Sequence, residues 1–248
     1  MNIKLEICCD SVESAINAAT AGAGRIELCS DLIEGGITPG YGTISSAREN
    51  LIIDLNVIIR PRGGDFLYSN TEFETMKRDI EICRRLGADG IVTGILLRDG
   101  SVDVERTSQL VNIAHPMSVT FHRAFDMCND PFKGLEDVIA TGAGRLLTSG
   151  QKSTAAEGAD LIKKLIKQSN NRIIVMAGSG IGPENIENLI RTTNVREIHM
   201  TGRKVVQSNM AYIKNGISLG GIREIPEFSR KIADSEKIKE IVKILEQI

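Results

Sequence analysis

The chain has 248 residues, 42% of them hydrophobic, and 30 basic side chains stand against 32 acidic ones for a net charge of -2. That balance gives no general electrostatic reason to bind nucleic acid or a membrane surface, and no apolar run approaches the length of a membrane span. The N-terminal Met1-Asn2-Ile3-Lys4-Leu5-Glu6 runs straight into a strand pattern without a long apolar leader, which predicts a cytoplasmic protein. Five cysteines without framework spacing predict reduced thiols in that compartment.

In chain order, eight strand-like runs are predicted: 3–8, 25–29, 55–60, 90–93, 118–122, 145–148, 172–176 and 195–200. Most are followed by helical patterns, with apolar positions such as Met76, Ile80, Cys83 and Leu86, or Leu161, Leu165 and Ile166, recurring at the helical period. Capping starts are read at Asp10 or Ser11, and at Ser153 or Thr154 with Glu157 following. One phrase recurs between helix and strand: Gly22-Ala23-Gly24-Arg25-Ile26-Glu27-Leu28-Cys29 returns at Gly87-Ala88-Asp89-Gly90 and at Gly142-Ala143-Gly144-Arg145. Repeated αβ joints build a parallel sheet whose strand ends all point one way. An open doubly wound sheet shares the alternation, but a Gly-rich fingerprint usually follows its first strand; Cys8-Cys9-Asp10-Ser11 stands there instead. The predicted fold is an α/β (β/α)8 TIM barrel, a single domain over 1–248, with no linker to divide it. Residues 203–232 show little periodicity and are expected to form an irregular segment that covers the mouth or makes a subunit contact.

Strand parity sorts the side chains. In the second strand Ile26 and Leu28 face the helices, which sends Arg25, Glu27 and Cys29 into the barrel; in the first, Glu6 and Cys8 share the inner face. Adjacent strand ends lie about 5 Å apart, so Cys8 and Cys29 are expected to approach each other. Small cysteines packing the top of a barrel account for this pattern; so does a site for a soft ion such as Cu(I).

The third strand ends in Arg60-Pro61-Arg62-Gly63-Gly64-Asp65, and Pro61 keeps the chain extended so that both arginines reach one side of the mouth. Two guanidiniums there suit a carboxylate or phosphate, or an ion-pair network with Glu6 and Glu27. The fifth strand ends in His122-Arg123-Ala124-Phe125-Asp126, where His122 and Asp126 stand at a barrel's catalytic face. His199 is expected to point inward from the eighth strand beside Glu197, and His115 lies at the opposite end. Small residues after the last strands, Ser149, Gly178, Ser179, Gly180 and Gly202, form a candidate grip for an anion or phosphate, with Pro183 and Glu184 in the first turn of the next helix.

Glu6-Ile7-Cys8-Cys9-Asp10-Ser11, Arg25-Ile26-Glu27-Leu28-Cys29-Ser30 with Glu34-Gly35-Gly36-Ile37-Thr38-Pro39, Ile59-Arg60-Pro61-Arg62-Gly63-Gly64-Asp65-Phe66-Leu67-Tyr68-Ser69, Thr120-Phe121-His122-Arg123-Ala124-Phe125-Asp126 and Leu146-Leu147-Thr148-Ser149-Gly150 together resemble the CutC family, over nearly the whole chain and more weakly after Gly202. The resemblance implies a TIM barrel with a cytosolic role in copper homeostasis, and it places the family's proposed Cu(I) ligands on Cys8 and Cys29. Cys9 is an addition and is expected to face outward. Two functions follow: Cu(I) binding through the Cys8 and Cys29 thiolates, or an enzyme that acts on a small anionic metabolite through Glu6, Glu27, Arg60, Arg62, His122 and Asp126. The expected partners are a copper ion or a small anionic ligand, and a homodimer or homotetramer is expected from apolar residues near 222–228.

Overall fold

A computed structural model describes residues 3–214, 216–219 and 225–248. Eight parallel strands close on themselves in sequence order: β1 (Lys4–Cys9), β2 (Arg25–Leu28), β3 (Asp54–Ile58), β4 (Gly90–Thr93), β5 (Ser118–Phe121), β6 (Arg145–Thr148), β7 (Ile174–Gly178) and β8 (Glu197–Met200). Around them run α1 (Val12–Thr20), α2 (Tyr41–Asn50), α3 (Asn70–Arg85), α4 (Val104–Ala114), α5 (Pro131–Ala140), α6 (Ala159–Ser169), α7 (Ile186–Thr193) and α8 (Ser235–Glu246). This is the TIM barrel expected from the alternation.

The helices begin and bury where short-range chemistry dictates. The Ser11 hydroxyl accepts from the Ser14 N–H and starts α1, and Met76, Ile80 and Cys83 form the buried stripe of α3. Thr154 and Glu157 exchange reciprocal bonds of capping-box type, yet α6 starts only at Ala159. Likewise Pro183 and Glu184 sit in a turn, and α7 begins at Ile186. Both cases place helix-start chemistry one turn ahead of the helix itself.

Residues 203–232 are more regular than expected. β9 (Arg203–Gln207) pairs antiparallel with β10 (Ser229–Ala233), with Val205 opposite Lys231. This hairpin stands beside the mouth and sends Lys204, Val205 and Lys231 toward it. Of the chain between its strands, Asn215, Gly220, Gly221, Ile222, Arg223 and Glu224 lie outside the described residues, as do Met1 and Asn2. Among the described residues no helix is long and apolar enough to cross a membrane.

Between sheet and helices lies the main apolar core, which includes Ile7, Cys9, Ile26, Leu28 and Phe121. Cys9 therefore faces outward from the sheet, as expected. Inside the barrel the register sets Glu6 between Arg25 on β2 and His199 on β8. Arg25 is 1% exposed. Its Nε donates to Glu6 Oε2 at 2.5 Å and its Nη2 to Glu197 Oε2 at 2.5 Å, while Arg145 Nε donates to the same Glu197 oxygen at 3.0 Å. A charge this deep is tolerated because it is paired on two sides.

Replacing Arg25 with Met leaves the Glu6 and Glu197 carboxylates without their buried cation. The variant is expected to lose about 3–5 kcal/mol of stability, measured by urea unfolding at neutral pH; a loss below 1 kcal/mol would show that the network contributes little.

Candidate functional site

The inner face of β1 and β2 delivers a thiol and a carboxyl to the same height, because Cys8 pairs in register with Glu27. Cys8 Sγ donates to Glu27 Oε1 at 3.2 Å and lies 3.8 Å from Cys29 Sγ, which itself reaches Cys9 O at 3.4 Å. The two thiols sit in a small buried cluster with Ile58 and Val92. All five cysteines are free. The contact with Cys29 pushes the Cys8 thiol well above the ordinary cysteine range, and burial and the Glu27 carboxyl add to the effect. Burial also raises Glu27.

His199 enters from β8. It meets Glu6 Oε1 through Nδ1 at 2.7 Å. Burial alone would push the Glu6 carboxyl up, but the His199 hydrogen bond and the Arg25 charge hold it at about 2. Burial opposes charge on His199; the Glu27 and Glu6 carboxylates outweigh it and raise that pKa. Glu6 holds the Nδ1 side of the ring and turns Nε2 away from itself, the orientation in which a carboxylate presents a histidine for metal ligation. Cys8, Glu27 and His199 each offer a ligand atom, and these atoms lie within 4.8 Å of one another.

Above these groups opens a cavity of about 680 Å³ lined by Cys8, Glu27, Arg60, His122, Asp126, Ser179, Gly180, His199 and Gly202, with Arg203, Lys204, Lys231 and Lys237 at the rim. His122 lines it, and its Nδ1 accepts from the Ala124 N–H at 3.2 Å. A Cβ on Gly94 would stand 2.6 Å from that Nδ1, so the end of β4 leaves room for the ring only as glycine. Gly178 acts similarly, since a Cβ there would come within 2.6 Å of Leu147 and 3.3 Å of His199.

Several predicted residues are otherwise engaged. Arg62 does not join Arg60 at the mouth. It donates to Glu72 at 2.6 Å and to Asp65 at 3.0 Å, lies over the Tyr68 ring, and so folds its own loop. Arg60 lines the cavity, yet its partners are carbonyls, Glu34 O at 2.6 Å, Gly36 O at 3.0 Å and Gly64 O at 2.9 Å, in place of the expected Glu6 and Glu27. Asp126 spends both oxygens on organising the loop after β6. It accepts from Arg123 at 2.7 Å, Thr148 at 2.5 Å, Ser149 N at 3.0 Å and Gln151 N at 3.1 Å. Ser149 is consumed in the same cluster, accepting from Arg123 at 2.9 Å and bonding Asp126 and Lys152 O. Ser179, Gly180 and Gly202 reach the cavity; Ser149 and Gly178 do not. Of the rim lysines, Lys204 and Lys231 were not foreseen because β9 and β10 show no alternation that marks them as a hairpin, and Lys237 reaches the rim from α8.

The sequence pattern of the CutC family matches residues 3–204. The chain is 47% identical over 243 residues to a CutC family protein of Chromobacterium violaceum, covering 98% of each. It is 44% identical over 244 residues to the copper homeostasis protein cutC homolog of Homo sapiens, covering 98% of this chain and 89% of that protein. The crystal structure of the putative copper homeostasis protein CutC from Streptococcus agalactiae aligns with a TM-score of 0.77 at 34% identity, over 80% of this chain and 98% of that one. The chain belongs to the CutC family.

Burial, together with the Arg60 charge, lowers the His122 pKa from the ordinary 6.5 to about 3. Below pH 6.5 the unfolded chain takes up a proton here that the native ring refuses until about pH 3, so stability falls across that window by up to about 1.4 kcal/mol per pH unit from this residue. Histidine NMR is expected to show His122 neutral from pH 8 to pH 5 with the proton on Nε2; a titration midpoint near 6.5 would contradict a buried neutral ring.

Proposed function

We propose that this CutC family member binds Cu(I) as cargo in the cytoplasm, through the Cys8 and Cys29 thiolates with His199 Nε2 as a third donor. The observation that carries the reading is the 3.8 Å approach of the two sulfurs beside a histidine whose far nitrogen is held by a carboxylate. Thiolate and imidazole are soft to intermediate donors, the set that favours Cu(I) over hard cations. Glu27 supports the same reading as a proton acceptor beside Cys8, since the thiol proton must leave when a metal takes its place. A homodimer or homotetramer fits the exposed Met210, Tyr212, Ile213 and Leu219 between β9 and β10.

Anaerobic titration of the reduced protein with Cu(I) against a competing chelator tests this. One ion per chain is expected in the wild type, none in the Cys8→Ser, Cys29→Ser double variant, and weakened binding in His199→Gln. Binding that survives loss of both cysteines would overturn the assignment.

A further inference from the structure

We propose that the barrel mouth is also a binding site for a small phosphate ester bearing hydroxyl or carbonyl groups, with its phosphate against the cationic rim and its polar body against His122 and Glu27. Three buried polar atoms of cavity-lining residues have no partner, Arg60 Nε, His122 Nε2 and Glu27 Oε2, and of these His122 and Glu27 form the pair suited to a ligand's polar body. The two residues are 5% and 4% exposed. Because His122 Nδ1 is an acceptor in its bond from Ala124, the neutral ring carries its proton on Nε2. His122 and Glu27 therefore supply one donor and one carboxyl oxygen, the complement of a hydroxyl or carbonyl. Buried polar groups are normally satisfied, so such a pair marks the place of a group the chain does not supply.

The rim sets the charge of that ligand. Arg123, Arg203 and Lys204 are paired with Asp126, Asp10 and Asp234. Lys231 on β10 and Lys237 on α8 line the same cavity and make no ion pair among the described residues. Two free ammonium groups on one opening match a phosphate dianion better than a single carboxylate. A cavity of about 680 Å³ has the size of a metabolite site. The inference shares only Glu27 with the copper reading and does not depend on it.

Calorimetric titration of the metal-free, reduced full chain with ribose 5-phosphate, inorganic phosphate and ribose tests the proposal. The expected result is saturable binding of ribose 5-phosphate, about tenfold weaker binding of inorganic phosphate, and none of ribose. Lys231→Ala with Lys237→Ala is expected to weaken both phosphate probes by about tenfold or more, and His122→Phe to weaken ribose 5-phosphate alone. No saturable phosphate binding, or equal affinity in the lysine variant, would overturn the site; phosphate binding with no gain from the sugar would overturn the role of His122 and Glu27. Cu(I) stoichiometry is read on the lysine variant in parallel, so that retained copper with lost phosphate binding separates this site from the thiol pair.

Discussion

The buried Arg25 guanidinium is the constraint on which the mouth of this barrel depends. A cation at 1% exposure requires carboxylates, and the register of β1, β2 and β8 supplies them from Glu6 and Glu197. Once Glu6 is committed as an anion to Arg25 through one oxygen, its other oxygen is left to hold His199 Nδ1. The ring is thereby oriented from below, and its Nε2 becomes the variable end. A charge pair in the barrel interior thus fixes the orientation of His199 on the neighbouring strand without a loop being involved. Sites built on strands in this way are held more precisely than sites carried by loops.

The loops at the mouth are held by a different device. Arg60 and Arg62 on the β3 loop, and Arg123 with Asp126 on the β5 loop, spend their polar atoms on neighbouring backbone and side chains. Arg62 holds its own loop against α3, whereas the others tie neighbouring loops together, as Asp126 does with the β6 loop and Arg60 with the β2 loop. The charge density that reads as catalytic in sequence is in large part scaffold. Among the described residues, what remains without a partner around the mouth is Arg60 Nε, His122 Nε2, the second oxygen of Glu27 and the ammonium groups of Lys231 and Lys237, to which the lightly bonded thiol pair and His199 Nε2 add their donor atoms, a much shorter set on which any chemistry must draw.

Inside the strands the site was legible from sequence, and beyond their ends it was not. Alternation in Glu6-Ile7-Cys8 and Arg25-Ile26-Glu27-Leu28-Cys29 assigned every inward residue correctly, because a period of two is imposed by the backbone itself. Past β3 no such period applies. Arg62 turns to Glu72 on α3, a partner ten residues on whose position depends on how the helix packs. The contact between β9 and β10 was illegible for another reason. Both strands are solvated on much of their surface, and their pairing spans a long intervening stretch, so neither alternation nor a tight turn announces it. Pro183 signals a helix start that the chain delays by a turn, since Gly182 N–H is first satisfied by Asn185 Oδ1.

Glu27 joins the two halves of the mouth. One of its oxygens accepts the Cys8 S–H and the other is free on the cavity wall, and burial holds the carboxyl toward its neutral form. The carboxyl thus faces a thiol through one oxygen and the cavity residues through the other. A cation at Cys8 would act on the first oxygen and a polar ligand in the cavity on the second, so the two proposed uses of the mouth meet at a single side chain. Thiols, imidazole and carboxyl set on the strand ends, with lysines from β10 and α8 on the same opening, are what lets both proposed uses fit within one barrel mouth.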